Sequence, residues 1–232
     1  MATQLGTGTL TGFHMLMRQI TSDMILETAP HSQDFKGSAG VVLARMQTPG
    51  PHAAHLLLIA QMLSECENCV VIIGSADKSG AERNPFTVEQ RKMLYEEALD
   101  EIGWPAEFRN RLTVMTLKDL SDEADNSRIW GEYLWANAVA QLPSGMDKFR
   151  IYYSDDEEII KTWFPTKFLK NHVEIRHLDR EDILEGLSAT RIREAILRGD
   201  PEDLEYIFKY CPSSILAHMT KLRKILREVQ GK

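Results

Sequence analysis

Seven side chains of this sequence could act on an anion, and they fall in two short stretches. The first follows the apolar run Val41-Val42-Leu43-Ala44, which reads as a buried strand. Arg45-Met46-Gln47 comes next, then Thr48-Pro49-Gly50-Pro51, a cluster that forces a turn. His52 and His55 then open a helix that continues through Leu56, Leu57, Leu58, Ile59, Met62 and Leu63. Three residues apart, they share its first turn and face one spot. That spot also sees N–H groups without intrahelical partners and the positive end of the helix dipole. Arg45 leaves the strand end toward the same crevice. Phosphate is the ligand this entrance favours. As metal ligands the histidines would want a third partner, and none stands nearby.

The second stretch is Gly186-Leu187-Ser188-Ala189-Thr190-Arg191-Ile192-Arg193. Ser188 and Thr190 precede an amphipathic helix, where their hydroxyls can cap it or hold phosphate oxygens. Arg191 and Arg193 add guanidinium groups suited to bidentate phosphate contacts. In isolation a Ser and a Thr at a helix start usually cap and do nothing more. Two further clusters carry less. Cys66-Glu67-Asn68-Cys69 closes a helix and opens a strand, the reverse of a redox pair, and Cys211 alone cannot complete a zinc site. Asp155-Asp156-Glu157-Glu158 suits a helix start, where acids favour the dipole.

The elements that position these residues alternate. Further strands are expected at Cys69–Ile73, Leu112–Leu117, Phe149–Tyr153 and Val173–His177. Between them lie helices from Thr87 to about Asp100, from Asn126 to Leu142 and from Glu157 to Phe164. Thr87 and Gln90 form a capping box, and Met93, Leu94, Ala98 and Leu99 are the expected inward face. The remainder reads as helical over Ala189–Leu197, Glu202–Tyr210 and Ser214–Val229. Such alternation gives an α/β fold, a Rossmann-like doubly wound parallel sheet with a C-terminal helical segment. Ligands then bind beyond the carboxyl ends of the strands, where the order switches direction. Residues 1–40 read as an N-terminal arm, with Phe13, Leu16, Met17, Ile20, Met24 and Ile25 on one helical face. Residues 41–200 form the sheet domain, and 201–232 are helices packed on it.

Composition narrows the classes. The 232 residues are 43% hydrophobic and 26% charged, as in a folded domain. A net charge of −7 argues against broad nucleic-acid binding while leaving room for a local basic groove. No apolar run reaches the roughly 20 residues of a membrane helix, and the N-terminus lacks the pattern of a secretory signal. Three cysteines make no disulfide framework, so a reducing, cytoplasmic location is expected.

Taken together and in order, the stretches resemble the nucleotidyltransferases that share a His-x-Gly-His motif, and among them the nicotinamide mononucleotide (NMN) adenylyltransferases of the archaeal type. Ala44-Arg45-Met46-Gln47 and His52-Ala53-Ala54-His55 match the family's opening strand and histidine pair. Ile73-Gly74-Ser75-Ala76 and Asn84-Pro85-Phe86-Thr87, with Glu89 and Arg91, match its middle block. Leu187-Ser188-Ala189-Thr190-Arg191-Ile192-Arg193 matches its late motif, so the likeness spans roughly Val41 to Arg198. Ala44 and Ala54 stand where the family has glycine, and the turn before His52 carries two more residues.

The resemblance implies transfer of an adenylyl group from ATP to NMN, giving NAD and pyrophosphate without a covalent enzyme intermediate. It implies that His52 and His55 hold the triphosphate and the pentavalent centre, with Arg45 and Gln47 beside them. Ser188, Thr190, Arg191 and Arg193 would bind the leaving phosphates. Gly74, Ser75, Asn84, Asn126 and Trp130 would bind NMN, whose flat cationic ring suits an aromatic platform. Trp130 also reads as a core residue at helical spacing with Leu134. Mg²⁺ would bridge phosphate oxygens with few protein ligands, no protein metal site being expected. A homo-oligomer is expected, with no nucleic-acid or membrane partner. A cytidylyl or phosphopantetheine transferase of the same superfamily remains an alternative. So does a non-catalytic nucleotide sensor, which Ala44 and Ala54 would suit.

Overall fold

Five short apolar segments pair as parallel strands of a single sheet in the computed structural model, which describes residues 13, 17, 35–120, 128–154, 157–178, 184 and 186–231. The strands are β1 (Ala39–Ala44), β2 (Asn68–Ile73), β3 (Leu112–Thr116), β4 (Phe149–Tyr153) and β5 (Val173–His177), in the order β3-β2-β1-β4-β5. Helices α1 (Ala53–Glu65), α2 (Val88–Ile102), α3 (Ala106–Arg109), α4 (Arg128–Val139), α5 (Glu157–Trp163) and α6 (Thr166–His172) lie between them. After β5 come α7 (Ala189–Arg198), α8 (Pro201–Tyr210), α9 (Ser214–Ala217) and α10 (Met219–Val229). Among the described residues, no helix is long and apolar enough to cross a membrane.

The sheet is apolar on both faces, which is why its central strands read as continuous runs and not as alternation. Val42, Val71, Ile73 and Tyr152 face one core with α1, α2, α7, α8 and α10. Val41, Val70, Ile72 and Ile151 face the other, with α4 and α5. Phe13 and Met17, one helical turn apart, are buried in the first core; the rest of the expected N-terminal helical face lies outside the described residues. The chain builds outward from β1 to β2 and β3, then returns to β4 on the other side of β1. The crevice between β1 and β4 is therefore the point where the order reverses.

Several boundaries differ from the pattern reading for local reasons. Met93 is 38% exposed, and the inward face of α2 is Arg91, Leu94, Tyr95, Ala98 and Leu99, with a guanidinium where the pattern offers a methionine. The helix expected over Ser214–Val229 breaks at His218, whose backbone leaves the helical region and whose Nε2 lies 2.8 Å from Glu97 on α2. Two short helices follow Pro105 and Pro165, which preset φ at their N-caps. The Thr87–Gln90 capping box is present, and Gly103 ends α2 in the left-handed region. The acidic start expected for α5 lies largely outside the described residues.

α4 and α5 meet backbone to backbone. A Cβ built on Gly131 would lie 1.9 Å from the Trp163 carbonyl oxygen, so only glycine fits there. Gly131→Ala must push the two helices apart, at a cost of about 3 kcal/mol. Thermal unfolding of this variant should show a Tm lowered by roughly 6–12 °C. An unchanged Tm would mean that the contact is slack.

Candidate active site

At the carboxyl ends of β1 and β2 two residues other than glycine take left-handed conformations, Met46 (φ 48°) and Ser75 (φ 47°). Such backbone costs about 1–3 kcal/mol per residue unless the surroundings hold it. Arg91 holds both. Its guanidinium, fully buried, donates to the carbonyls of Arg45 (2.6 Å), Gly74 (2.7 Å) and Ser75 (2.9 Å), and its Nε to that of Thr87 at 3.3 Å. One side chain of α2 thus joins the ends of two strands to the start of its own helix. Burial pulls its pKa below the usual value, with Glu89 and Asp119 opposing that, and an arginine stays charged regardless. A charged residue on an otherwise apolar helical face is the sequence signal for it.

The turn into α1 is rigid. Gly50 takes φ 80°, and a Cβ there would lie 3.0 Å from Leu94 Cβ, so the longer turn before His52 is packed onto α2. Gln47, 5% exposed, accepts the Phe86 N–H at 3.1 Å and donates to the Phe86 carbonyl at 3.4 Å. This pins the middle block against the end of β1. His52 is the N-cap of α1, and its ring stacks on that of His55 with centroids 3.9 Å apart and 16° between planes. His55 Nδ1 accepts the His52 backbone N–H at 3.4 Å. That bond selects the neutral tautomer with its proton on Nε2, leaving His55 a donor.

Arg193, on the second turn of α7, bridges back across the crevice. Nη1 donates to the Gln47 carbonyl at 3.2 Å and Nη2 to Thr190 Oγ1 at 3.3 Å. Its pKa is lowered first by burial and next by the Arg45 guanidinium, against smaller opposing effects of Glu82 and Glu194. Two like charges held within electrostatic reach favour an anion between them. Ser188 caps α7, its Oγ accepting the Arg191 N–H at 3.1 Å. The hydroxyl can cap and still donate its own proton to a ligand.

These groups line one cavity of about 830 Å³ over the crevice. Arg45, Gln47, His52, His55, Gly74, Ser75, Asn84, Trp130, Ser188, Thr190 and Arg193 all border it. Ala44 and Ala54 border it too, so the methyl groups that replace two glycines narrow the wall without closing it. Arg191 is not among the lining residues: its Nη1 lies 2.8 Å from Asp203 and its guanidinium stacks on Tyr206, 5.1 Å from the ring centroid. Asn126 lies outside the described residues. Trp130 is 6% exposed, set edge-on to Trp163 at 6.3 Å, so one face serves the core while the residue still borders the cavity.

Lys78, Arg83, Asp119 and Trp163 also line the cavity, although no motif in the sequence points to them. Arg83 is presented by a closed turn in which Ala81 and Asn84 exchange backbone bonds of 3.2 and 3.0 Å. Asp119 accepts the Ser75 hydroxyl at 3.1 Å. In an acidic chain, cavity walls bearing Arg45, Lys78, Arg83 and Arg193 form a local basic site. Cys66, Cys69 and Cys211 are free and buried and do not line it, and burial pushes each thiol up in pKa. Among the described residues no group of three His, Cys, Asp or Glu is placed to hold a metal.

Known proteins share this sequence pattern and this fold. A family model described as cytidylyltransferase-like matches residues 50–195. A protein of Pyrococcus abyssi named nicotinamide-nucleotide adenylyltransferase is 26% identical over 81% of this chain and 86% of its own length. Its namesakes from Archaeoglobus fulgidus and Halobacterium salinarum are 25% and 29% identical, over 78% and 75% of this chain and 92% and 84% of theirs. Among solved structures, a bifunctional NMN adenylyltransferase/ADP ribose pyrophosphatase from Francisella tularensis superposes with a TM-score of 0.63 at 18% identity. That match covers 83% of this chain and 52% of the other, so the chain spans about half the length of that protein. It shows the fold.

A lysine has three donors on a single nitrogen and cannot span the four carbonyls that the guanidinium reaches from three, so Arg91→Lys should free at least one strand end. Denaturant unfolding should register a loss of about 2–4 kcal/mol, mostly from buried carbonyls left without donors. Stability within about 0.5 kcal/mol of the parent would remove Arg91 from this role.

Proposed function

This chain belongs to the cytidylyltransferase-like family, and from that premise we propose that it transfers the adenylyl group of ATP to NMN, forming NAD and releasing pyrophosphate. The observation that carries the reading is the cavity at the switch point, bordered by the stacked histidines, the Arg45–Arg193 pair and Trp130. Its volume lies toward the top of the roughly 300–1,000 Å³ usual for small-molecule sites, which suits two nucleotides side by side.

The acceptor's 5′-phosphate oxygen attacks the α-phosphorus of ATP. The new P–O bond forms as the bond to the β-phosphate bridging oxygen breaks, and pyrophosphate leaves with the electron pair. The attacking phosphate is already an anion, so no enzyme nucleophile or base is required. Positioning and charge stabilisation account for the rate. His55, held as an Nε2 donor by its Nδ1 bond, meets negative charge developing on the α-phosphate, with His52 stacked behind it. Arg45 and Arg193 bind the triphosphate from opposite walls, and Ser188 and Thr190 hold the leaving β and γ groups. Gly74, Ser75, Asn84, Asn126 and Trp130 are assigned to NMN.

Mg²⁺ is the proposed metal, carried by the nucleotide. Magnesium takes mostly phosphate and water oxygens and needs no protein cage. Asp119 is the one carboxylate among the described cavity residues that could complete its shell, and the ion would neutralise phosphate charge. The reaction is placed in the cytoplasm, whose reducing conditions keep Cys66 and Cys69 as thiols.

Incubation of the purified protein with ATP, Mg²⁺ and NMN should yield NAD, measured with a coupled dehydrogenase. In His55→Ala the rate should fall by about 100-fold or more, while the fold, judged by circular dichroism, persists. Turnover unchanged by that substitution would sink the role given to His55. ATP binding with no NAD would point to a different acceptor or to a sensor.

A further inference from the structure

Tyr206, on α8, reaches back to the loop that opens α7. Its hydroxyl donates to the Gly186 carbonyl at 2.9 Å and accepts the Ser188 N–H at 3.3 Å. One oxygen therefore ties the two peptide groups that flank Leu187. Gly186 is left-handed at φ 74°, so the loop turns sharply just where this bridge holds it. The ring of Tyr206 carries the Arg191 guanidinium, whose Nη1 is tied to Asp203. Asp203, 1% exposed, also receives Arg198 through Nε and Nη2, both at 2.8 Å, and its own N–H is capped by Asp200. The hydroxyl thus stands on a cross-linked helix pair.

The helix start does not depend on it. Ser188 caps α7, and Leu187 N–H closes a turn on the Leu184 carbonyl at 3.0 Å. The Tyr206 bonds are partly exposed, and water could replace them at little net cost. What water could not supply is a fixed position for Ser188, Ala189 and Thr190, which form the cavity wall beside Arg193. We propose that Tyr206 is a positioning residue for the triphosphate end of the bound nucleotide, fixing the Ser188–Thr190 loop against Arg193 through its hydroxyl. Arg191, the nearby arginine that faces away from the cavity, serves the same purpose by bracing the ring. Burial raises the phenol's pKa, so the hydroxyl keeps its proton at neutral pH and the bridge stays intact.

The inference deepens the reading of the cavity as an ATP site and rests on it. It is tested on the full chain with Tyr206→Phe, which keeps the ring and its stack on Arg191. Calorimetric titration with Mg²⁺–pyrophosphate should show binding weakened roughly 5–20-fold, and the KM for ATP should rise to match. The KM for NMN should stay within about twofold, and the Tm within about 2 °C. Tyr206→Leu, which also removes the stack, should weaken pyrophosphate further. Pyrophosphate bound as tightly by the Phe variant as by the parent overturns the proposal. So does an equal loss for both substrates that tracks a fallen Tm. If the parent binds pyrophosphate but makes no NAD, the acceptor assignment fails while the binding comparison still decides the role of Tyr206.

Discussion

The site depends on one buried cation. Arg91 spends its charge on backbone carbonyls at the ends of β1 and β2 and at the start of α2. A guanidinium is weakly hydrated for an ion and presents its donors in a fixed planar fork, so it can be desolvated into such a place where an ammonium could not. What it secures is the shape of the crevice: two left-handed residues, Met46 and Ser75, turn the chain away from the sheet and leave space above it. Remove the fork and these buried carbonyls would lose their donor, and with it the bonds that tie the two strand ends to α2.

Above that base the chemistry is arranged in two halves that approach from opposite ends of the sequence. Gln47 and the histidines come from the β1–α1 turn, while Ser188, Thr190 and Arg193 come from the start of α7. The bond from Arg193 to the Gln47 carbonyl joins them. Both halves end at helix N-termini, so two sets of N–H groups and two positive dipole ends converge on one volume. Arg45 and Arg193 add like charges to the same volume at some electrostatic cost, which binding of a polyphosphate would relieve. The chain as a whole is acidic, with a net charge of −7, so this cluster of positive groups stands apart from the average charge of the molecule.

The departures from the family pattern are absorbed locally. The longer turn before His52 packs as a buried loop on Leu94 with Gly50 at its tightest point, and it delivers both histidines to a stacked pair. Ala54 is 2% exposed and borders the cavity. Each change costs some room and removes none of the polar groups.

Strand and helix positions are legible in the residues alone, from apolar runs and capping residues, because those are local effects: Thr87 and Gln90 cap wherever α2 happens to lie. The pairing of His52 with His55 follows from helical spacing, and the phosphate reading from their place at a helix start. Other features are not local. Nothing in the spacing of Arg191 and Arg193 tells which faces the ligand; Asp203 and Tyr206, brought up by the packing of α8 on α7, draw the first one away. Arg91 can be seen as a charge on an apolar face, but its partners at the strand ends lie 16 to 46 residues away and meet only when β1 and β2 pair. Trp163 reaches the cavity wall because Gly131 lets two helices touch, a contact no periodicity encodes. The amino-acid sequence by itself determined the elements, their order and the groups able to bind phosphate, since each arises from neighbours within a few residues. Which of those groups share a cavity, and which are spent holding it open, was decided by tertiary structure, because only chain packing fixes the distances and the burial on which electrostatic strength depends.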